Sequence, residues 1–323
     1  MDLVIIVYKV PTYMADSHQA NSSLFHCVDS PFLMPFDGQL AINQLQTSPS
    51  SALTKDEYKA QLQVNSDALY HLQHKMFADN RFSVLLIFQA LDAAGKDSTI
   101  RKVFSGINPA GFQVHSFKQP SSQELDHDFL WRTNKALPER GRIGIFNRSY
   151  YEEVLVVRVH PKYLLNQRLP NLTDNDISSI VHDTHFWSDR FQSINSHEAH
   201  LARNGTMILK FFLNVSQQEQ HRRFLSRIHN PEKNWKFSSS DIEESQLWDK
   251  YQHAYQEALA NTSRHWAPWY IIPADNKAAM RAIVSQLVLD NISRLPLQFP
   301  SLSDEDQAAL PAYEKILNDS VDK

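Results

Sequence analysis

Between Phe82 and Ile100 a continuous apolar run, Val84-Leu85-Leu86-Ile87-Phe88, ends abruptly in Gln89-Ala90-Leu91-Asp92-Ala93-Ala94-Gly95-Lys96-Asp97-Ser98-Thr99. Five consecutive branched or aromatic residues suit a strand of a parallel sheet buried on both faces. Gly95-Lys96 then opens a helical pattern. At such a junction the unpaired N–H groups and the helix dipole favour an anion, and a lysine adds a mobile positive charge. The stretch meets the phosphate-loop pattern G-x-x-x-x-G-K-[ST] only in part. Ala90 replaces the first glycine, which is tolerable only if that residue needs no positive φ. Asp97 stands where a Ser or Thr would place its hydroxyl on Mg2+, so a carboxylate takes over as the hard oxygen ligand. Taken alone, Gly95-Lys96 reads equally as an ordinary tight turn into a helix with an exposed lysine.

The chain has 323 residues, 42% of them hydrophobic, a net charge of −4 and a single cysteine, Cys27. That length buries a substantial core, as one large α/β domain with peripheral helices or as two smaller ones. A slightly acidic chain can hold a polyanion only where its basic residues are concentrated. One cysteine excludes an intramolecular disulfide framework and fits a reducing compartment. Leu3 to Val10 is apolar but too short to span a bilayer, and it lacks the flanks of a signal peptide.

Residues 1–51 are irregular and read as an extension rather than a core element, with Met14 an alternative start. A helix is predicted from Thr54, its N-cap, to Ala78, with Leu62, Leu69, Leu72 and Met76 apolar and the rest facing water. After the first strand the reading gives a helix from Ser98 to Ser105 and a strand from Gln113 to Phe117. A serine-capped helix follows, carrying Phe129 to Arg132 toward Pro138, and then a strand, Ile143 to Phe146. A loop covers Pro161 to Ser178, and a long helix runs from Ile177 to Asn204. A strand spans Met207 to Val215, and a helix bearing Arg222, Arg223 and Arg227 stops before Pro231. A basic aromatic loop, His229 to Ser238, leads to a helix from Asp241 to Leu259. A strand, Trp269 to Ile272, and a last helix, Lys277 to Ile292, complete the reading. Five short strands alternating with helices imply right-handed βαβ units. The predicted fold is a three-layer P-loop kinase architecture, with a parallel five-stranded sheet, helices on both faces and a helical lid.

Three clusters converge in that fold: Asp92, Gly95, Lys96 and Asp97; Arg148, Glu152 and Glu153; and Arg222, Arg223, Arg227, Lys233 and Lys236. Phosphoryl transfer needs this assortment, because cations and metal must stabilise charge spread over phosphoryl oxygens. Viewed singly, the arginines read as a solvated helix face and Glu152-Glu153 as a surface pair. The histidines show no metal-ligand spacing. Trp131, Trp235 and Trp269 read as core residues.

From about Lys55 to Leu295 the chain resembles the polyphosphate kinase 2 family. The motifs are Leu91-Asp92-Ala93-Ala94-Gly95-Lys96-Asp97, Ile107-Asn108-Pro109, Phe117-Lys118-Gln119-Pro120, Phe129-Leu130-Trp131-Arg132, Ile145-Phe146-Asn147-Arg148-Ser149-Tyr150-Tyr151-Glu152, Asn230-Pro231-Glu232-Lys233-Asn234-Trp235-Lys236 and Ala267-Pro268-Trp269-Tyr270. The resemblance implies metal-dependent transfer of a terminal phosphoryl group between inorganic polyphosphate and a nucleotide. It makes Lys96 the phosphate-loop lysine, Asp92 the catalytic aspartate, Asp97 a metal ligand and Arg148 the arginine after the third strand. It also puts Glu153 on the metal and Glu152 near the acceptor. The family commonly has glycine where Ala90 and Ser98 stand. Asn147 resembles the single-domain subgroup that accepts nucleoside mono- and diphosphates.

The expected site therefore comprises catalytic Asp92, Lys96 and Arg148 and the metal ligands Asp92, Asp97 and Glu153, for Mg2+ or Mn2+. Phosphate and nucleotide contacts are assigned to Ala93, Ala94, Gly95, Ser98, Lys118, Arg132, Glu152, Arg222, Arg223, Lys233 and Lys236. The expected protein is cytoplasmic and homo-oligomeric and binds neither nucleic acid nor membrane. Its domain spans 52–323, with a lid at 216–241. The alternatives are an ATP-dependent nucleotide kinase of the thymidylate-kinase type and a non-catalytic polyphosphate-binding module.

Overall fold

The computed structural model describes residues 25–50 and 53–321. Five parallel strands lie in the order β2-β3-β1-β4-β5. They are β1 (Ser83–Gln89), β2 (Phe112–Ser116), β3 (Ile143–Asn147), β4 (Thr206–Asn214) and β5 (Trp269–Pro273). Strand β1 is central, and every one of its residues is buried. Its side chains alternate between layers. Val84, Leu86 and Phe88 join one core with Leu69, Ile100, Met280 and Val284. Leu85 and Ile87 join the other with Phe146, Trp187, Ile194 and Tyr255. An unbroken apolar run is what a strand sandwiched between two helical layers requires. Phe88 pairs with Asn147 of β3 and Phe211 of β4, so the loops after β1 and β3 open side by side at the carboxyl edge.

On the first face lie helices α1 (Lys55–Asp79), α2 (Lys96–Val103) and, packed on α1, α6 (Lys277–Ile292). Thr54 caps α1 in a reciprocal box with Glu57. The polar face of α1 does not simply face water: Asn65, Ser66 and Gln73 are buried, and Asn65 Nδ2 donates to Ser285 Oγ of α6 at 3.0 Å. On the other face lie α3 (Thr184–Arg203) and α5 (Trp248–Thr262), while α4 (Gln217–His229) rises from the end of β4.

Several predicted elements break where a polar side chain captures the backbone. The helix expected over 177–204 divides, because Asp183 Oδ1 accepts from the N–H groups of His185 and Phe186 and caps a new helix. The segment toward Pro138 becomes two single turns, Ser122–Leu125 and Trp131–Asn134, with Asp128 accepting from Leu130 N between them. The stretch 241–259 likewise divides into Ser239–Ser245 and α5. The expected loop at 161–178 holds short turns, Tyr163–Asn166 and Asp174–Asp176. A further helix, α7 (Asp304–Val321), lies beyond the one read as last, and none of its residues is buried.

The stretch read as an extension contributes to the core. Met34 N donates to Trp269 O at 2.9 Å and Ile271 N to Phe32 O at 2.7 Å, so the segment covers the open edge of β5. Its own Phe25, Met34 and Ile42 are buried. Residues 1–24, with Leu3 to Val10 and Met14, lie outside the described residues. Among the described residues no helix is long and apolar enough to cross a membrane.

Candidate functional site

The loop from β1 to α2 is shaped by two residues of positive φ, Ala93 (60°) and Gly95 (110°). Ala90 is not among them, so its alanine carries no conformational cost. The strain falls on Ala93 instead, at about 1 kcal/mol. Helix α2 begins at Lys96, two residues earlier than expected, with Gly95 as its left-handed cap.

Lys96 folds back over this loop. Its Nζ donates to the Ala90 carbonyl at 2.5 Å and is 3.5 Å from the Leu91 carbonyl, with the residue only 8% exposed. Burial, followed by the nearby Arg148 charge, holds the ammonium below the ordinary lysine range, while Asp92, Glu152 and Asp97 oppose the shift.

The second cluster enters from β3. Arg148 has φ 64°, an unusual value for a non-glycine residue. Its amide donates to the Phe88 carbonyl, and its guanidinium Nη2 donates to Asp92 Oδ1 at 2.8 Å. Glu152 lies 3.7 Å from the same guanidinium. Burial raises the Glu152 carboxyl above its usual range against the opposing charges of Arg148 and Lys96. Asp97 is exposed and accepts from Asn147 Nδ2 at 2.6 Å.

Glu153, expected on the metal, has protein partners of its own. It is buried and accepts from Arg190 Nη1 at 3.2 Å and Gln167 Nε2 at 2.5 Å. Among the described residues no three His, Cys, Asp or Glu side chains are grouped to hold a metal. Glu153 lines the same hollow as Asp92, and its carboxylate is paired with Arg190, whose guanidinium also lies over Phe129 and Phe186.

Two hollows meet at the Asp92–Arg148 pair. One, of about 450 Å³, is lined by Phe117, Phe129, Tyr163, Tyr251 and Tyr255 together with Lys118, Arg132, Gln167 and Glu152. Arg132 is fixed there by its bond to the Lys118 carbonyl at 2.7 Å and by lying over Phe117. The other, of about 750 Å³, is lined by Ala93, by Gly95 to Ser98 and by Lys118, Arg148, Arg223, Arg227, Lys233, Lys236 and Lys277.

The third cluster splits. Arg223 is buried, its donors committed to the carbonyls of Ala93, Ala94, Ala274 and Asp275 and to Glu219, so it is not a free cation. Arg222 is exposed, pairs with Glu219 at 3.1 Å and does not line the basic hollow. Arg227 pairs with Asp241 at 2.7 Å, which leaves Lys233 and Lys236 as the basic side chains of the 230–238 segment facing the hollow. Trp235 is 78% exposed and is not a core residue; Lys236 lies over its ring. Gln220, Lys277 and Arg190 were missed by sequence reasoning. Of these only Lys277 carried a signal, a cation at the start of a helix.

The polyphosphate kinase 2 family model matches residues 52–169 and 175–299. An ADP-polyphosphate phosphotransferase of Rhodopseudomonas palustris is 53% identical over 247 residues, covering 76% of this chain and 83% of that protein. An AMP/ADP-polyphosphate phosphotransferase of Meiothermus ruber is 41% identical over 266 residues, covering 82% and 92%. Polyphosphate kinase 2 from Arthrobacter aurescens superposes with a TM-score of 0.75 at 32% identity, over 89% of this chain and 99% of that one. Fold, loop geometry and sequence agree: this chain belongs to the polyphosphate kinase 2 family.

Proposed function

We propose that this protein transfers a terminal phosphoryl group reversibly between inorganic polyphosphate and AMP or ADP. The observation that carries the reading is the position of the Arg148–Asp92 pair, 2.8 Å apart, where an aromatic hollow and a basic hollow meet. The aromatic side suits a nucleotide, with Arg132 and Lys118 for its phosphates. The basic side, with Lys233, Lys236 and Lys277, suits a chain of phosphates. Lys96 and Arg148 flank the junction, where charge on the transferring group grows. Residues 216–241 form the lid of this reading, closing Lys233 and Lys236 over the donor.

Asp92 and Asp97 offer hard carboxylate oxygens beside the phosphate loop, and two carboxylates plus substrate phosphates are what Mg2+ or Mn2+ requires. An ion held by Asp92 and Asp97 would supply positive charge to offset that of the phosphates. Glu153, held by Arg190, is not needed for that set.

Incubation with Mg2+, polyphosphate and AMP or ADP, with nucleotides resolved by chromatography, tests the reading. Formation of ADP or ATP is expected. Product with ATP but not polyphosphate as donor would make the protein a nucleotide kinase, and binding without turnover would make it a polyphosphate-holding module. Of the two departures behind the last reading, Ala90 and Ser98, Ala90 has no positive φ and so gives no reason for an inactive loop.

A further inference from the structure

Beyond the basic hollow, cations continue along a ridge where α2 and α6 pack together. Lys277 lines the hollow and is the first residue of α6, a helix with no acidic residue in its first turn. A cation there faces the positive end of the helix dipole, an unfavourable placement unless an anion offsets it. Arg281 follows one turn later; its Nη2 donates to Ser98 Oγ at 3.3 Å and its Nε is buried with no partner among the described residues. Arg101, on the facing turn of α2, is exposed and close enough for its charge to act on Arg281.

Among the described residues none of Lys277, Arg281 and Arg101 forms an ion pair with a carboxylate, although most arginines of the site do. The group is also crowded with like charge. Partial burial and then Arg223 lower the Lys277 ammonium, with Glu219 opposing, and partial burial followed by Arg101 and Arg223 lower the Arg281 guanidinium. A single phosphate on the loop would be served by Lys96 and the loop amides, whereas neither Arg281 nor Arg101 lines the basic hollow; Arg281 meets Ser98, and Arg101 lines a neighbouring hollow with Asp97, Ser116 and Asn147. Cations that continue from Lys277 in the hollow to Arg281 and Arg101 outside it answer a ligand that is both anionic and extended.

We propose that the ridge of Lys277, Arg281 and Arg101 is a distal subsite for long linear polyphosphate, holding phosphates that extend out of the cleft beyond those at the reacting end. The proposal rests on the donor reading above. It makes chain length, rather than chemistry at the reacting phosphate, the quantity these cations control. Each contact to a polyanion releases counterions, a relation established for nucleic acids and applied to polyphosphate by analogy, so the subsite also carries part of the salt dependence.

The test is an Arg101→Gln, Arg281→Gln double variant, compared with the parent using tripolyphosphate and a long-chain polyphosphate at several salt concentrations. Tripolyphosphate kinetics should stay within about twofold of the parent, while the long-chain KM rises about tenfold and its salt slope shrinks. A charge-keeping Arg101→Lys, Arg281→Lys variant should retain the parent's preference for long chains and guards against a folding defect. Equal changes for both donors, or none for either, would overturn the subsite while leaving the donor reading intact. A parent that uses ATP but neither polyphosphate would overturn the donor reading and the subsite together.

Discussion

Arg223 Nη1 donates to the Ala94 carbonyl at 2.6 Å, and this bond ties helix α4 to the phosphate loop. The same nitrogen reaches the Ala93 carbonyl at 3.1 Å, and Gln220 Nε2 reaches the Asp92 carbonyl at 3.0 Å. Three successive carbonyls are thus turned toward α4. In planar trans peptides the N–H points opposite to the C=O, so the amides of Ala93 and Gly95 are aimed away from α4. Nη2 closes the clamp on the Ala274 and Asp275 carbonyls at 2.6 and 3.1 Å.

Arg223→Gln leaves buried carbonyls unpaired, a cost of about 1–3 kcal/mol in stability. It should lower kcat more than it raises the polyphosphate KM, and it should leave the salt slope unchanged. Arg222→Gln should alter little, since that side chain is exposed and outside the hollow. Steady-state kinetics with thermal melts measure both. A pure KM effect with a reduced salt slope in Arg223→Gln would return this residue to the class of donor-binding cations.

Lys96 is expected to meet charge that develops on the phosphoryl group. Lys96→Ala should therefore lower turnover by about a hundredfold or more while the protein still folds. A folded variant with nearly full activity would remove the loop from the mechanism.

For Asp97, the exposed carboxylate beside Asn147 is expected to share the metal with Asp92. Asp97→Asn should raise the Mg2+ concentration needed for half-maximal rate more than it raises the nucleotide KM. Chelation should abolish parent activity and added Mg2+ restore it. Glu153→Gln, by contrast, should disturb stability through Arg190 and leave the metal requirement near that of the parent. A metal requirement raised in Glu153→Gln and unchanged in Asp97→Asn would reverse this assignment.

Behind the site, Lys210 on β4 is fully buried and donates to Glu198 Oε2 at 2.6 Å and to Tyr151 Oη at 2.8 Å. Glu198 also accepts from Tyr150, so the network fixes the turn that follows Arg148. Lys210→Met strands the Glu198 charge and should cost about 3–5 kcal/mol. A Lys210→Met, Glu198→Leu pair should lose less than that. Denaturant unfolding of the single and double variants gives the comparison, and a double variant less stable than Lys210→Met alone would contradict it.

The parallel sheet, the phosphate loop and the approach of Arg148 to it were legible because each depends on local sequence. An unbroken apolar run specifies a doubly covered strand, and a glycine before a lysine marks the turn into α2. The helix divisions at Asp183 and Asp128 were less legible, since an aspartate caps a helix only where the chain is already turning. Trp235 was misread because aromatic residues are usually buried, and nothing local says that every residue of 231–237 stays exposed.

By itself the sequence determined which residues of the site are chemically competent: Asp92, Lys96, Asp97, Arg148 and the basic run are all written in short motifs. The tertiary structure decided which charges remain available. Arg223 and Arg222 are adjacent and identical in type, yet one faces four backbone carbonyls and the other faces solvent. Glu153 and Glu152 are likewise adjacent, but Arg190, arriving from a helix far along the chain, occupies only the first. A charge is free or committed according to the partners that folding brings within a few ångströms, and those partners lie too far along the chain for local spacing to reveal them.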